Sequence, residues 1–373
     1  MSARSRRHTA ISLAIAVTTG TTLLLTSCSA STTANSAAAA TGSPAAPSVA
    51  PSAAPTAAPT APPTASPSAD PTGAPTATPS APSAPPVALA AVADAPRAVL
   101  NGTARNGLTI SNGTRYVVMN GTTVDFGTEV RDLVWSPNGR KAAFVNGAGD
   151  LVVTDPDGSS RVTVARHPAG ETWSHPAWQV SAASPYGYYT AKNNLFFTAA
   201  KGGVTRLKSV PATTVGGTPQ LLGLGTYSGP DSAQNPTTGN VWAAGGGADG
   251  RTVYANSDSG EVFIRDEALR QQGGPVAKGS EPTLSPDGHD IVFVRAVNGH
   301  DHLFRTDSHE MTGPAKDLTP HATTDYTEPA WSPDGRTVAA RTPAGIVTLP
   351  ANGSAAPTLV SGHHGLPAYR QLG

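Results

Sequence analysis

One turn-centred pattern recurs three times and constrains this chain more than any other feature. Leu133-Val134-Trp135-Ser136-Pro137-Asn138-Gly139-Arg140 leads into Ala142-Ala143-Phe144-Val145. Pro282-Thr283-Leu284-Ser285-Pro286-Asp287-Gly288 leads into Ile291-Val292-Phe293-Val294, and Pro329-Ala330-Trp331-Ser332-Pro333-Asp334-Gly335-Arg336 into Val338-Ala339-Ala340. Each copy reads as a short apolar strand, a tight turn and a second apolar strand. Proline presets φ for the first central position of a type I turn, Asp or Asn suits the second, and glycine supplies a positive φ. The consequence is a hairpin. After the first copy a second hairpin follows, through Asn146-Gly147, Leu151-Val152-Val153-Thr154, Asp155-Pro156-Asp157-Gly158 and Arg161-Val162-Thr163-Val164. The repeating unit is therefore a four-stranded meander.

Weaker copies fill the gaps. His175-Pro176-Ala177-Trp178 opens one, with Leu195-Phe196-Phe197 as a later strand. Another runs from about Pro236 through Thr252-Val253-Tyr254 to Glu261-Val262-Phe263-Ile264. Anchors of the innermost strand fall at Trp135, Trp178, about Thr237, Leu284, Trp331 and Tyr369, spaced 43, 59, 47, 47 and 38 residues apart. Such spacings are those of propeller blades. The pattern resembles the TolB-like family of β-propellers, whose repeat reads P-x-W-S-P-D-G-[RK] followed by apolar residues. That resemblance implies an all-β, six-bladed β-propeller of four-stranded antiparallel blades. Pro367-Ala368-Tyr369 would then close the ring with strands near Leu108-Thr109-Ile110, Tyr116–Met119 and Thr123-Val124. A seven-bladed propeller or a sandwich is the alternative reading.

The first hundred residues are a different material. All 20 aromatics (5 Trp, 8 Tyr, 7 Phe) lie at Tyr116 or later. Arg4, Arg6 and Arg7 precede a mostly apolar stretch from Ile11 to Leu25, the layout of an export signal. Leu25-Thr26-Ser27-Cys28 resembles the bacterial lipobox, and the sole cysteine stands where that motif needs it. The resemblance implies a signal peptide over residues 1–27 and lipid on Cys28. Several acyl chains on one residue anchor stably, where a single chain binds marginally. Residues 28–95 are built from Ala, Pro, Ser and Thr, with fourteen prolines between Pro44 and Pro86. Such a segment cannot offset its ordering entropy by apolar burial, so an extended linker is expected. Residues 96–373 form the propeller domain.

Charge and cysteine content exclude whole classes. Lys+Arg equals Asp+Glu at 25 each, which argues against a nucleic-acid binder. A single cysteine excludes a disulfide scaffold and a cysteine-based zinc site. The chain has no Gly-x-Ser-x-Gly elbow, no His-Glu-x-x-His and no phosphate loop.

Aligning the repeats three residues before each anchor collects Asp132, His175, about Asn235, Glu281, Glu328 and Leu366. In a propeller these ring one mouth of the central channel. Crowded carboxylates attract a cation or raise a pKa, and oxygen-rich rings suit Ca²⁺ or another divalent ion. The plainer reading is a water-filled mouth with solvated charges. His300 and His302, at alternate positions of the hairpin Asn298-Gly299-His300-Asp301-His302, are candidates for a binding loop on the same face.

The resulting expectation is a monomeric lipoprotein anchored on the extracytoplasmic face of the cell membrane. Its propeller binds an envelope protein or a wall polymer without catalysis and without a cofactor. The alternative is a hydrolase using a divalent ion at the channel mouth, similar to lactonase-like propellers in ligand chemistry only, with Asp132, Asn235, Glu281 and Glu328 as the corresponding oxygen donors.

Overall fold

The structure is a computed structural model that describes residues 98–187, 190–225, 234–246, 250–265, 273–309 and 313–373. The signal, Cys28 and the linker lie outside the described residues. No helix occurs among the described residues, which form six four-stranded antiparallel sheets.

Strands β1 (Leu108–Ser111), β2 (Tyr116–Met119) and β3 (Thr122–Asp125) come first and wait for a partner from the far end of the chain. Blade 1 holds β4 (Arg131–Trp135), β5 (Ala142–Val145), β6 (Leu151–Thr154) and β7 (Val162–Ala165). Blade 2 holds β8 (Glu171–Ser181), β9 (Lys192–Lys201), β10 (Val204–Pro211) and β11 (Gln220–Leu221). Blade 3 holds β12 (Asn240–Gly245), β13 (Thr252–Asn256), β14 (Glu261–Arg265) and β15 (Gly273–Lys278). Blade 4 holds β16 (Ser280–Leu284), β17 (Asp290–Val297), β18 (His300–Asp307) and β19 (Lys316–Asp317). Blade 5 holds β20 (Thr327–Trp331), β21 (Thr337–Thr342), β22 (Gly345–Pro350) and β23 (Thr358–Ser361). Finally β24 (Leu366–Tyr369) pairs with β1 and completes blade 6. Each inner strand touches the next, and β24 touches β4, so the ring is closed. Pairing of β24 with β1 gives blade 6 its inner strand and leaves only the short outer strands of the blades as sheet edges. The six-bladed propeller expected from the repeats is the observed fold.

The repeated turn explains its own sequence. Ser136, Ser285 and Ser332 each accept, through the backbone carbonyl, the N–H of the glycine three residues on. Their hydroxyls donate to Asn138, Asp287 and Asp334 at 2.8, 2.5 and 2.6 Å and accept the N–H of Lys141, Asp290 and Thr337. Gly139, Gly288 and Gly335 hold φ of 65°, 79° and 68°. At Gly139 the glycine is required twice, because a Cβ would lie 1.9 Å from the Gln371 carbonyl oxygen of the closing strand's tail. The acidic members of these turns are thus structural.

The core is a set of layers between blades rather than one centre. Trp135 and Trp331 are buried and reach back to the preceding blade, with Nε1 donating to Thr109 Oγ1 at 2.9 Å and to the Thr283 carbonyl at 3.3 Å. Six apolar clusters correspond to six seams. The largest joins blades 1 and 2 around Trp173, Trp178, Leu195 and Phe197. The smallest joins blades 5 and 6 through Leu108, Ile110, Val118, Ala339 and Ile346.

Candidate functional site: the channel mouth

Five of the six inner strands carry a β-bulge at the same level. Pairing with the second strand shifts between Arg131 and Val134, Ser174 and Ala177, Val241 and Ala244, Ser280 and Thr283, and Thr327 and Ala330. In each, one residue is left-handed: Asp132 (φ 56°), His175 (48°), Trp242 (53°), Glu281 (48°) and Glu328 (53°). None is glycine, so each holds about 1–3 kcal/mol of backbone strain, a feature that clusters at functional sites. The next residue is Pro176, Pro282 or Pro329 in three blades. Proline has no N–H to lose, which is why it is tolerated at a bulge. Blade 1 has Leu133 instead, and its N–H finds Ser111 Oγ at 3.4 Å.

In three of the five bulges the N–H of the left-handed residue bonds to the preceding blade. Asp132 Oδ2 accepts the His175 N–H at 3.0 Å, and Glu281 Oε2 accepts the Glu328 N–H at 2.6 Å. The Trp242 N–H donates to Thr198 Oγ1 of blade 2 at 3.0 Å. Blade 6 breaks the series. Leu366 to Tyr369 pair residue for residue with Ser111 to Leu108, without a bulge. No freed amide faces Glu328 from that side. Its Oε1 meets Arg341 Nη2 at 2.9 Å, while its Oε2 is buried with no partner among the described residues.

Electrostatics follow from this geometry. Burial pushes the Glu328 carboxyl up to about 7; Arg341 opposes the rise, and the charges of Glu281 and Asp132 add to it. Burial also raises Glu281, against the Glu328 N–H and Arg341, which favour its charged form. At His175 burial lowers the pKa and outweighs Asp132, so the imidazole is neutral. That ring packs against Trp242 in a tilted arrangement, with centroids 3.9 Å apart and planes at 35°.

Three of these residues open onto a cavity of about 550 Å³ in the channel; Glu281 and Glu328 stand at the same level but outside its lining. Asp132, His175 and Trp242 line it at this mouth. Its walls are mostly apolar, with Pro176, Pro282, Pro329 and Pro367 among them, and Gln371 lines the opposite end.

The structure brings Asp132, His175, Glu281 and Glu328 to equivalent positions, with Leu366 at the sixth. Asn235 is not among them. It precedes β12, is buried, and donates through Nδ2 to the carbonyls of Leu224 and Gly225 at 3.1 and 3.4 Å. Trp242 takes its place, and the third anchor is Gly245 rather than Thr237. The blade-3 strand lacks the Trp-Ser-Pro signature because it runs too close to blade 2, where a Cβ on Gly245 would lie 2.0 Å from the Trp178 carbonyl oxygen. The sequence offered one clue, a tryptophan in the apolar run Val241–Ala244 just ahead of the triple glycine Gly245-Gly246-Gly247.

His300 and His302 follow the turn at Asn298 (φ 52°) and Gly299 (φ 88°), on the mouth face of blade 4. They do not converge on one ligand. His300 Nδ1 lies 3.2 Å from Asp325 Oδ1, and the buried His302 lies 2.9 Å from Asp317 Oδ2. Among the described residues, no group of three or more His, Cys, Asp or Glu is placed to hold a metal ion.

No protein-family model and no curated protein matches the chain. Solved structures do resemble it. TolB from Acinetobacter baumannii is 18% identical with a TM-score of 0.47, over 70% of this chain and 65% of that one. A chain of a nidogen/laminin complex is 10% identical with a TM-score of 0.49, over 71% of this chain and 98% of that one. An oligogalacturonate lyase in complex with manganese is 12% identical with a TM-score of 0.42, over 64% and 68%. The chain thus spans less than two thirds of the TolB structure it matches.

Proposed function

We propose that this chain is a membrane-anchored extracytoplasmic lipoprotein whose propeller is a non-catalytic binding module for an envelope protein. The observation that carries the reading is the channel: a cavity of about 550 Å³ with apolar walls and a polar mouth held by left-handed residues. Apolar pockets with a few fixed polar groups are the usual form of a ligand site. The mouth residues are tied to neighbouring backbone rather than arranged as nucleophile and base. Walls rich in proline and tryptophan favour an extended peptide segment over a wall polymer, which would need many hydrogen-bonding side chains. Carboxylates at the mouth favour a segment with a cationic group.

Anchoring rests on Cys28 and its surrounding motif. Cys28→Ala is expected to release the protein from the membrane fraction; a variant that still sediments with membranes contradicts it. Binding is tested by short-range cross-linking of the tagged full-length protein in intact cells. Ala330→Trp fills the channel, so it is expected to abolish a discrete protein adduct while the melting temperature stays close to that of the parent. An undiminished adduct, or a polysaccharide adduct alone, rules out the channel reading.

A further inference from the structure

We infer that the mouth carries a proton switch: Glu328 holds a proton at the seam between blades 5 and 6 and gives it to solvent when a cationic group enters. This deepens the binding reading above and rests on it. The switch stands on the register of the ring. In blades 1 and 4 the mouth carboxylate accepts the amide of the following blade, so its charge has a fixed partner. Blade 6 is unbulged, and Glu328 Oε2 is left buried and unpartnered. A carboxylate oxygen without a donor is best accommodated by a proton on the group, and the position of its titration near neutrality agrees with that.

The groups facing it all belong to the same mouth. Arg341 of β21 pairs with the other oxygen, Glu281 of β16 bonds to its backbone amide, and Asp132 of β4 adds negative charge from across the ring. Asp301 acts on Glu281 in the same sense. One cation, half-exposed Arg341, therefore stands against three nearby carboxylates. A second cation held at the mouth favours the ionised form through its charge, without touching the buried Oε2. Entry of the ligand and loss of the proton are thus the same event in the linkage sense.

Carboxyl ¹³C NMR of the full-length protein with labelled glutamate tests this, using n-butylammonium as the probe and sodium at matched ionic strength as the control. The expected result is a Glu328 midpoint in the neutral range that falls by about one pH unit with the probe, a roughly tenfold loss of proton affinity. Glu328→Gln should remove that transition, and Arg341→Gln should move it higher. A midpoint in the ordinary glutamate range overturns the switch. So does a neutral transition that survives in Glu328→Gln, since it then belongs to another glutamate. A neutral midpoint unmoved by the probe overturns the coupling and the cationic element of the binding reading, while partner capture through the channel is judged separately by Ala330→Trp.

Discussion

The seam between blades 4 and 5 and the seam between blades 5 and 6 start from the same repeat and end differently. At the first, a tryptophan reaches back to the Thr283 carbonyl, and Glu281 accepts the amide that the bulge in β20 sets free. Its cluster includes Val292, Leu303, Trp331 and Leu349. At the second, the closing strand runs in register without a bulge, the cluster is the smallest of the six, and Glu328 keeps an unpartnered oxygen. Glu171 of blade 2 sharpens the contrast. It too is buried, and desolvation acts to raise its pKa, but donors from Lys208 and Trp173, both at 2.6 Å, outweigh that and hold it low. Burial alone does not decide the charge of a carboxylate in this ring. The donors that reach it, from its own blade at Glu171 or from the next blade at Glu281, weigh against burial, and only at Glu171 do they win.

The comparison can be broken first in the apolar layers. Trp331→Ala should lower stability in urea by about 3–5 kcal/mol, the range for emptying a large aromatic site. Ile346→Ala, in the thinner layer between blades 5 and 6, should lower it by about 2–3 kcal/mol. The reverse order would show that the closing seam is the tighter one.

A smaller effect separates the two acceptors. Glu281→Ala leaves the Glu328 amide without its acceptor and should cost about 1–3 kcal/mol. Glu281→Gln keeps an acceptor oxygen and should recover most of that loss. Equal losses in both variants would mean that the bond across the seam contributes nothing.

The smallest effect has a sign that depends on pH. The folded chain holds the Glu328 proton more tightly than the unfolded chain, raised from 4.5 to about 7. Stability is therefore full below about 4.5 and declines as pH rises through 7, because only the folded state retains the proton over that window. Glu328→Gln removes the dependence. It should match the parent near pH 4.5 and exceed it by about 1–2 kcal/mol at pH 8, less than the whole shift implies because solvent at the mouth weakens the desolvation and the repulsion from Glu281 and Asp132 that raise it. Thermal melts across that range read the difference.

Much of this was legible in the sequence, and the failures have physical causes. Ser-Pro-Asp-Gly and Ser-Pro-Asn-Gly state their turn outright, since every residue in them serves a hydrogen bond or a φ. Pro367-Ala368-Tyr369 repeats the strand start of the other blades, and it pairs with β1 as expected. Blade 3 was misplaced by spacing because Gly245 stands where other blades have Trp or Leu, and close packing on Trp178 rather than residue type sets that position. Four of the five left-handed residues were found by alignment and Trp242 was missed, and the conformation of none was readable, because Trp and Glu do not signal a positive φ and Asp and His signal it only weakly. The orphaned oxygen of Glu328 was hidden for a different reason. It depends on what the next blade lacks, and only the closed ring brings Leu366 beside it.

The binding claim is tested most directly by a photo-cross-linking residue at Thr283, on the channel wall between blades 4 and 5, in intact cells, with the same residue at the exposed Tyr186 as the control. The account predicts one discrete protein adduct from Thr283, absent from Tyr186 and abolished in Ala330→Trp. The same adducts from both positions, or none from Thr283, would contradict it.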